Sequence, residues 1–77
     1  MEILLYTRRG CHLCEEAEDI VAALAPGTRV VEVGGDEGLE RDWGARVPVL
    51  VIDGRVVAEG HFDEGETALA LARLRAR

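Results

Sequence analysis

The sequence predicts an α/β protein with a four-stranded mixed sheet and the element order β-α-β-α-β-β-α. Short runs rich in valine, leucine and isoleucine alternate with stretches whose apolar residues recur at helical spacing. An Asp-Gly dipeptide separates the last two of the β-rich runs. The length of 77 residues lies near the lower end of what folds by packing alone. We therefore expect a single domain over residues 1–77.

The first part of the chain predicts a strand, a helix and a second strand. Residues 2–6 (EILLY) form a short apolar run that is typical of a buried strand. From Cys11 onward the pattern is helical, and Pro26 with the glycine after it ends the helix. Residues 28–33 (TRVVEV) predict the second strand. Because a helix joins these two strands, we expect them to be parallel.

A short helix and a hairpin are expected next. Asp36 is a good N-cap for a helix over residues 36–43, and Gly44 closes it. Residues 48–52 (PVLVI) and 55–59 (RVVAE) flank the Asp-Gly dipeptide, which is the strongest short-range signal for a hairpin. These last two strands should therefore be antiparallel.

The last element is a helix that begins after Asp63. Glu66 stands three residues further on, in the capping-box position, and residues 68–75 fill the helix. Together these elements predict a mixed sheet with helices on its faces.

Composition excludes several classes of function. The net charge of −6 argues against nucleic acid as a partner, because neutralising phosphates requires a basic surface. No apolar run approaches the length of a membrane span, and the opening MEILLY is too short for the apolar core of a signal peptide. Two cysteines do not make a secreted disulfide scaffold. We expect a cytoplasmic monomer that binds neither nucleic acid nor membrane.

The two cysteines, Cys11 and Cys14, are the strongest chemical signal. Cys11 stands at the start of the first predicted helix, where free backbone N–H groups and the helix dipole stabilise a thiolate. Cys14 follows one turn inward, close enough to attack a mixed disulfide formed at Cys11. Arg8, Arg9 and His12 add positive charge in an otherwise acidic chain. This pattern predicts a redox pair.

Three other interpretations of the cysteines stay open at this point. A tetrahedral zinc site normally has four ligands, and the sequence has no second C-x-x-C motif. A structural disulfide in so small a ring adds little stability. Two inert core cysteines would not require a basic cluster beside them. We favour the redox pair and expect no metal site.

Three segments resemble the glutaredoxins. YTRRGCHLC is similar to the glutaredoxin opening Tyr-x-Lys-Pro-x-Cys-Pro-Tyr-Cys, RVPVLVIDG to the Thr-Val-Pro segment with its hairpin, and EGHFD to the Gly-Gly…Asp-Asp segment. The chain departs from this pattern between the cysteines, where His12 and Leu13 replace Pro-Tyr. It also departs at Glu59, which replaces the first glycine, and at Arg46, which replaces the threonine.

The resemblance implies a thioredoxin fold and a dithiol–disulfide oxidoreductase that reduces protein or glutathione mixed disulfides. Cys11, Cys14 and Pro48 would be catalytic, with Pro48 in a cis peptide facing the cysteines. The residues expected to bind substrate are Tyr6, Arg8, His12, Arg46, Val47, Gly60 and Asp63. No cofactor would be required, and glutathione or a thioredoxin-type reductase would supply electrons. The alternative is a carrier in which paired copies hold an iron–sulfur cluster between Cys11 thiolates and glutathione.

Overall fold

Four strands and three helices follow one another in the predicted order in the computed structural model, which describes residues 1–76. The elements are β1 (Ile3–Thr7), α1 (His12–Leu24), β2 (Arg29–Glu32), α2 (Glu37–Trp43), β3 (Val49–Ile52), β4 (Arg55–Glu59) and α3 (Glu64–Arg75). The predicted fold class is therefore confirmed. Across residues 1–76, every helix falls short of the length and apolar character required to cross a membrane.

The strands form one mixed sheet in the order β2-β1-β3-β4. β1 pairs in parallel with β2, as the helical connection between them predicts, and β3 pairs antiparallel with β4. β1 and β3 are antiparallel neighbours at the centre, and their register places Leu5 opposite Leu50. All four residues of β3 are buried, which is typical of a central strand.

The hydrophobic core lies on the face of the sheet that carries α1 and α3. Side chains alternate between faces along a strand, so Leu5 and Leu50 point into this core together. Val21 of α1 and Leu71 of α3 pack against them. Tyr6 is one residue out of phase with Leu5 and contacts α2 on the opposite face.

Local chemistry sets most element boundaries where the sequence places them. Asp53 and Gly54 both have positive φ, 49° and 79°, which is the geometry of a type I′ hairpin turn. The predicted strand boundaries differ from the observed ones by one residue at the ends of β1, β2 and β3. β3 begins after Pro48 because proline has no N–H to donate to a neighbouring strand.

Candidate active site

Cys11 is the N-cap residue of α1. Its backbone is extended (φ −100°, ψ 115°), and its Sγ accepts the backbone N–H of Cys14 at 3.2 Å. The side chain is half-buried, so solvent and a substrate can still reach the sulfur. A sulfur that receives a helix N–H at the positive end of the helix dipole is in a setting that stabilises a thiolate.

Cys14 lies one turn further along α1 and has no exposed surface. Burial is the largest cause that raises the pKa of the Cys14 thiol to about 11; a hydrogen bond with the Cys11 side chain acts in the same direction, and a backbone hydrogen bond with Arg8 opposes it. Both thiols are free in this structure. At neutral pH, Cys14 is therefore a protonated thiol, and it is buried one helical turn away from the half-buried Cys11.

Pro48 lies at the sheet end from which the loop to Cys11 departs. The Val47–Pro48 peptide bond is cis, and the proline is fully buried. Tyr6 pairs with Val49, so Pro48 continues β3 beside the end of β1. The Pro48 carbonyl accepts the N–H of Gly60 at 2.9 Å, and Gly60 reaches this position with a φ of +76°, which favours glycine.

One of the two backbone hydrogen-bonding groups of Val47, its N–H, already has a partner within the protein. Its N–H donates to the carbonyl of Trp43 at 3.1 Å, and the N–H of Arg46 donates to the same carbonyl at 2.8 Å. The resemblance to glutaredoxins implies that the backbone N–H of Val47 pairs with a substrate, whereas here this N–H has a partner within the chain.

Arg8 forms a two-pronged ion pair with Glu40 of α2. Its Nη1 and Nη2 donate to Glu40 Oε2 and Oε1, each at 2.6 Å, and Nη2 also donates to the carbonyl of Gly44 at 2.9 Å. The hydrogen bonds from Arg8 hold the pKa of Glu40 below its usual value. The guanidinium thus ties the end of β1 to α2.

Arg46 has an equivalent partner in Glu59. Its Nε and Nη2 donate to the two carboxylate oxygens at 3.1 and 2.9 Å, and the hydrogen bonds lower the pKa of Glu59. The guanidinium carbon also lies 5.1 Å from the centre of the Trp43 ring. Trp43 in turn stacks on Tyr6, with ring centres 4.6 Å apart and planes 13° from parallel.

The remaining predicted site residues have partners on the chain itself. His12 is exposed, and its Nε2 lies 3.5 Å from Glu16 Oε2 on the same helix. Asp63 caps α3, where its carboxylate accepts the N–H of Glu66 at 2.9 Å. Arg9 lies 3.4 Å from Glu32. Every basic residue predicted beside the thiols therefore lies against a carboxylate.

Sequence reasoning had missed the acidic half of these pairs. Glu40 lies 32 residues from Arg8, so helical or strand periodicity cannot connect them. Glu59 is visible in the sequence only as a charge in place of the glycine that the glutaredoxin pattern carries. Glu59 also lines a groove of about 160 Å³ between β4 and α3, together with Asp63 and Glu66.

The described part of the chain, residues 1–76, contains no group of three or more His, Cys, Asp or Glu side chains that could hold a metal ion.

Comparisons with known proteins identify a family model and several proteins to which this chain is similar. A family model described as Glutaredoxin-like domain (DUF836) matches residues 2–72. The X-ray structure of a Northeast Structural Genomics target protein from X. campestris is 36% identical, with 97% of each chain covered and a TM-score of 0.80. Uncharacterized proteins of Mycobacterium tuberculosis (strain ATCC 25618 / H37Rv) and Mycobacterium bovis are each 28% identical over 81 residues, which covers 94% of this chain and 84% of theirs.

Proposed function

The chain belongs to the glutaredoxin-like domain family (DUF836) and has a thioredoxin-like fold, and on this premise we propose that it is a dithiol–disulfide oxidoreductase. One observation carries the proposal: the two sulfurs of one helical turn have different settings. Cys11 is accessible and accepts a helix N–H, whereas Cys14 is fully buried and its pKa is about 11. A two-step mechanism requires this difference, because one cysteine attacks the substrate disulfide and the other then resolves the mixed disulfide.

In the first step, the Cys11 thiolate attacks one sulfur of a substrate disulfide. The substrate S–S bond breaks, a mixed disulfide forms at Cys11, and the other substrate sulfur leaves as a thiolate that takes a proton from solvent. Cys14 then attacks Cys11 Sγ, and its proton passes to the departing substrate sulfur. A Cys11–Cys14 disulfide forms, the second substrate thiol leaves, and two electrons have passed from the protein to the substrate.

The loop before β3 would position the substrate. Pro48 has no N–H, so it presents no backbone donor to the sulfurs, and the Val47 carbonyl can accept a hydrogen bond from a substrate backbone. Gly60 holds the Pro48 carbonyl from the other side. A dithiol or thiol reductant, such as a thioredoxin-type reductase or glutathione, would return the protein to its reduced form.

Trapping of the intermediate tests this proposal. The reduced Cys14→Ala variant should accumulate a mixed disulfide with a peptide disulfide probe, measured as added mass by intact mass spectrometry. Cys11→Ala is the matched control and should add none, because Cys14 has no exposed surface. Wild-type protein should release both peptide thiols and lose the mass of two hydrogen atoms. If both variants formed adducts at equal rates, the assigned roles of the cysteines would be wrong.

The same protein preparation separates this function from the iron–sulfur carrier. A cluster shared between Cys11 thiolates gives Cys14 no role. We expect protein purified without oxygen to be colourless and to reduce the probe. A coloured dimer that did not reduce the probe would contradict the proposal.

A further inference from the structure

We propose that Glu40 and Glu59 determine the substrate class of this site: they neutralise the arginines beside it and so favour disulfides in neutral or basic polypeptide segments over glutathione disulfides. This inference rests on the proposed oxidoreductase function and adds its specificity. Its basis is that Arg8 and Arg46, the two expected anchors for an anionic substrate, both have their hydrogen bonds directed to carboxylates of the same chain.

The Arg8 guanidinium is held on two sides. Both terminal nitrogens contact Glu40 at 2.6 Å, and one of them also contacts the Gly44 carbonyl. A substrate carboxylate would have to displace Glu40 to reach these donors. Displacement would leave the Glu40 carboxylate unpaired beside the incoming negative charge, so the exchange gives little net attraction.

The hydrogen-bond donors of Arg46 are occupied in the same way, by a different set of contacts. Glu59 takes its Nε and one terminal nitrogen, in the fork geometry that a substrate carboxylate would use. The Trp43 ring covers a face of the guanidinium. The pair joins the residue before Val47 to the end of β4, directly beside the Pro48–Gly60 hydrogen bond.

The other charged groups near the two ion pairs do not restore an attraction for an anionic substrate. The carboxylate of Glu18 is close enough to Cys14 to act on its proton electrostatically, and Glu15 stands in the first turn of α1. The groove between β4 and α3 adds the carboxylates of Asp63 and Glu66. Glutathione has carboxylates at both ends of a short peptide, whereas a polypeptide half-cystine in a neutral or basic segment has none. The site therefore disfavours glutathione by charge alone.

The test compares three disulfides as substrates of the pre-reduced protein in single turnovers: oxidised glutathione, uncharged bis(2-hydroxyethyl) disulfide and a basic peptide disulfide. Wild-type protein should reduce the basic peptide fastest and oxidised glutathione slowest. Glu59→Gln frees Arg46 and should raise the second-order rate constant for oxidised glutathione by about fivefold, which corresponds to about 1 kcal/mol for one partly exposed pair. The rate constant of the same variant for the uncharged disulfide is the reference, and the ratio of glutathione to uncharged rates should rise about fivefold.

Glu40→Gln should act in the same direction through Arg8. Glu37→Gln is the matched control, since it removes the same charge from the exposed surface of α2 and should change the ratio of glutathione to uncharged rates much less than Glu40→Gln does. Circular dichroism checks that each variant is folded, and Glu59→Gln leaves the Arg8–Glu40 contact of α2 in place. A glutathione-to-uncharged ratio that did not move in Glu59→Gln and Glu40→Gln would overturn the inference. Failure of every variant to reduce any of the three disulfides would overturn the proposed function instead.

Discussion

Among single residues, Cys14 couples the active site to the stability of the fold. Its sulfur has no exposed surface, and burial raises the pKa of its thiol from 9.0 to about 11. Between these two values the unfolded chain has released the Cys14 proton while the folded chain keeps it. The folded state then binds more protons, so the free energy of unfolding falls as the pH rises.

We therefore predict a loss of stability of the reduced protein between about pH 9 and about pH 11. The contribution of Cys14 is fully present below this window and is lost through it, and the loss should be about 3 kcal/mol at roughly 1.4 kcal/mol per pKa unit. Urea unfolding at a series of pH values measures it. The chain has no lysine and a single tyrosine, so few other groups titrate in this window.

Substitution at each cysteine assigns the effect. Cys14→Ala should flatten the alkaline part of the stability profile, whereas Cys11→Ala should keep most of the slope, because burial is the largest cause of the shift at Cys14. An equal slope in both variants would place the titrating group elsewhere.

Gly44 has to be a glycine because there is no room for a side chain, and not because of its backbone conformation. Its φ of −53° is ordinary helical backbone. An added Cβ, however, would overlap the Glu40 carboxylate and lie 3.0 Å from Arg8 Nη2. The absent side chain is what allows Arg8, Glu40 and the Gly44 carbonyl to meet.

Gly44→Ala should therefore lower the free energy of unfolding by about 1–3 kcal/mol, the range typical of overpacked sites. Gly34→Ala is the control, since its Cβ would make an ordinary 3.5 Å contact with Glu32. It should change stability by less than about 0.5 kcal/mol. Chemical denaturation of both variants measures the difference, and equal effects would show that the Arg8–Glu40 contact tolerates the extra methyl group.

Among the secondary-structure elements, α2 depends most on its contacts. It has seven residues, none of them buried, and a helix of that length is not stable alone in water. Trp43 stacks on Tyr6 of β1 and lies under the guanidinium of Arg46. The Trp43 carbonyl accepts the N–H groups of Arg46 and Val47. The position of α2 therefore sets the backbone that leads into Pro48.

Trp43→Ala should loosen α2 and the segment after it more than the rest of the fold. An aromatic pair contributes about 0.5–1.5 kcal/mol beyond the area it buries, so the amides of Gly44, Arg46 and Val47 should exchange hydrogen about three to ten times faster. Hydrogen exchange followed by NMR measures this, with α1 amides as the internal reference. Trp43→Phe keeps an aromatic ring and should stay close to wild type. Uniformly faster exchange throughout the chain would mean that the tryptophan stabilises the whole fold and not α2 in particular.

At the scale of the whole molecule, the sequence carries the local part of the fold and of the site. The caps Asp36 and Asp63 and the turn at Asp53 are decided by neighbouring residues and are found where the sequence predicts them, and the first helix begins at Cys11 as expected, with Cys11 as its N-cap. Arg8 is different. Its partner Glu40 comes next to it only through the packing of α2 on the sheet, and no periodicity encodes that contact.

The net charge of −6 also acts on the molecule as a whole. A negative field should attract a basic peptide disulfide and repel oxidised glutathione over distances that salt shortens, from a Debye length of about 10 Å at 0.1 M to about 3 Å at 1 M. The rate of reduction should therefore fall with added salt for the basic peptide and rise for oxidised glutathione. For uncharged bis(2-hydroxyethyl) disulfide it should stay level.

Stopped-flow reduction at a series of salt concentrations measures these three slopes. Glu37→Gln should make the slopes for both charged disulfides slightly shallower, because it makes the net charge less negative by one and leaves Glu40 and Glu59 in place. Glu59→Gln should change the net charge equally but should also raise the rate with oxidised glutathione at every salt concentration. The salt dependence of the rates thus reports the long-range field, and the rate with oxidised glutathione at every salt concentration reports the local ion pairs. Three identical slopes would show that the field of the acidic surface does not reach Cys11.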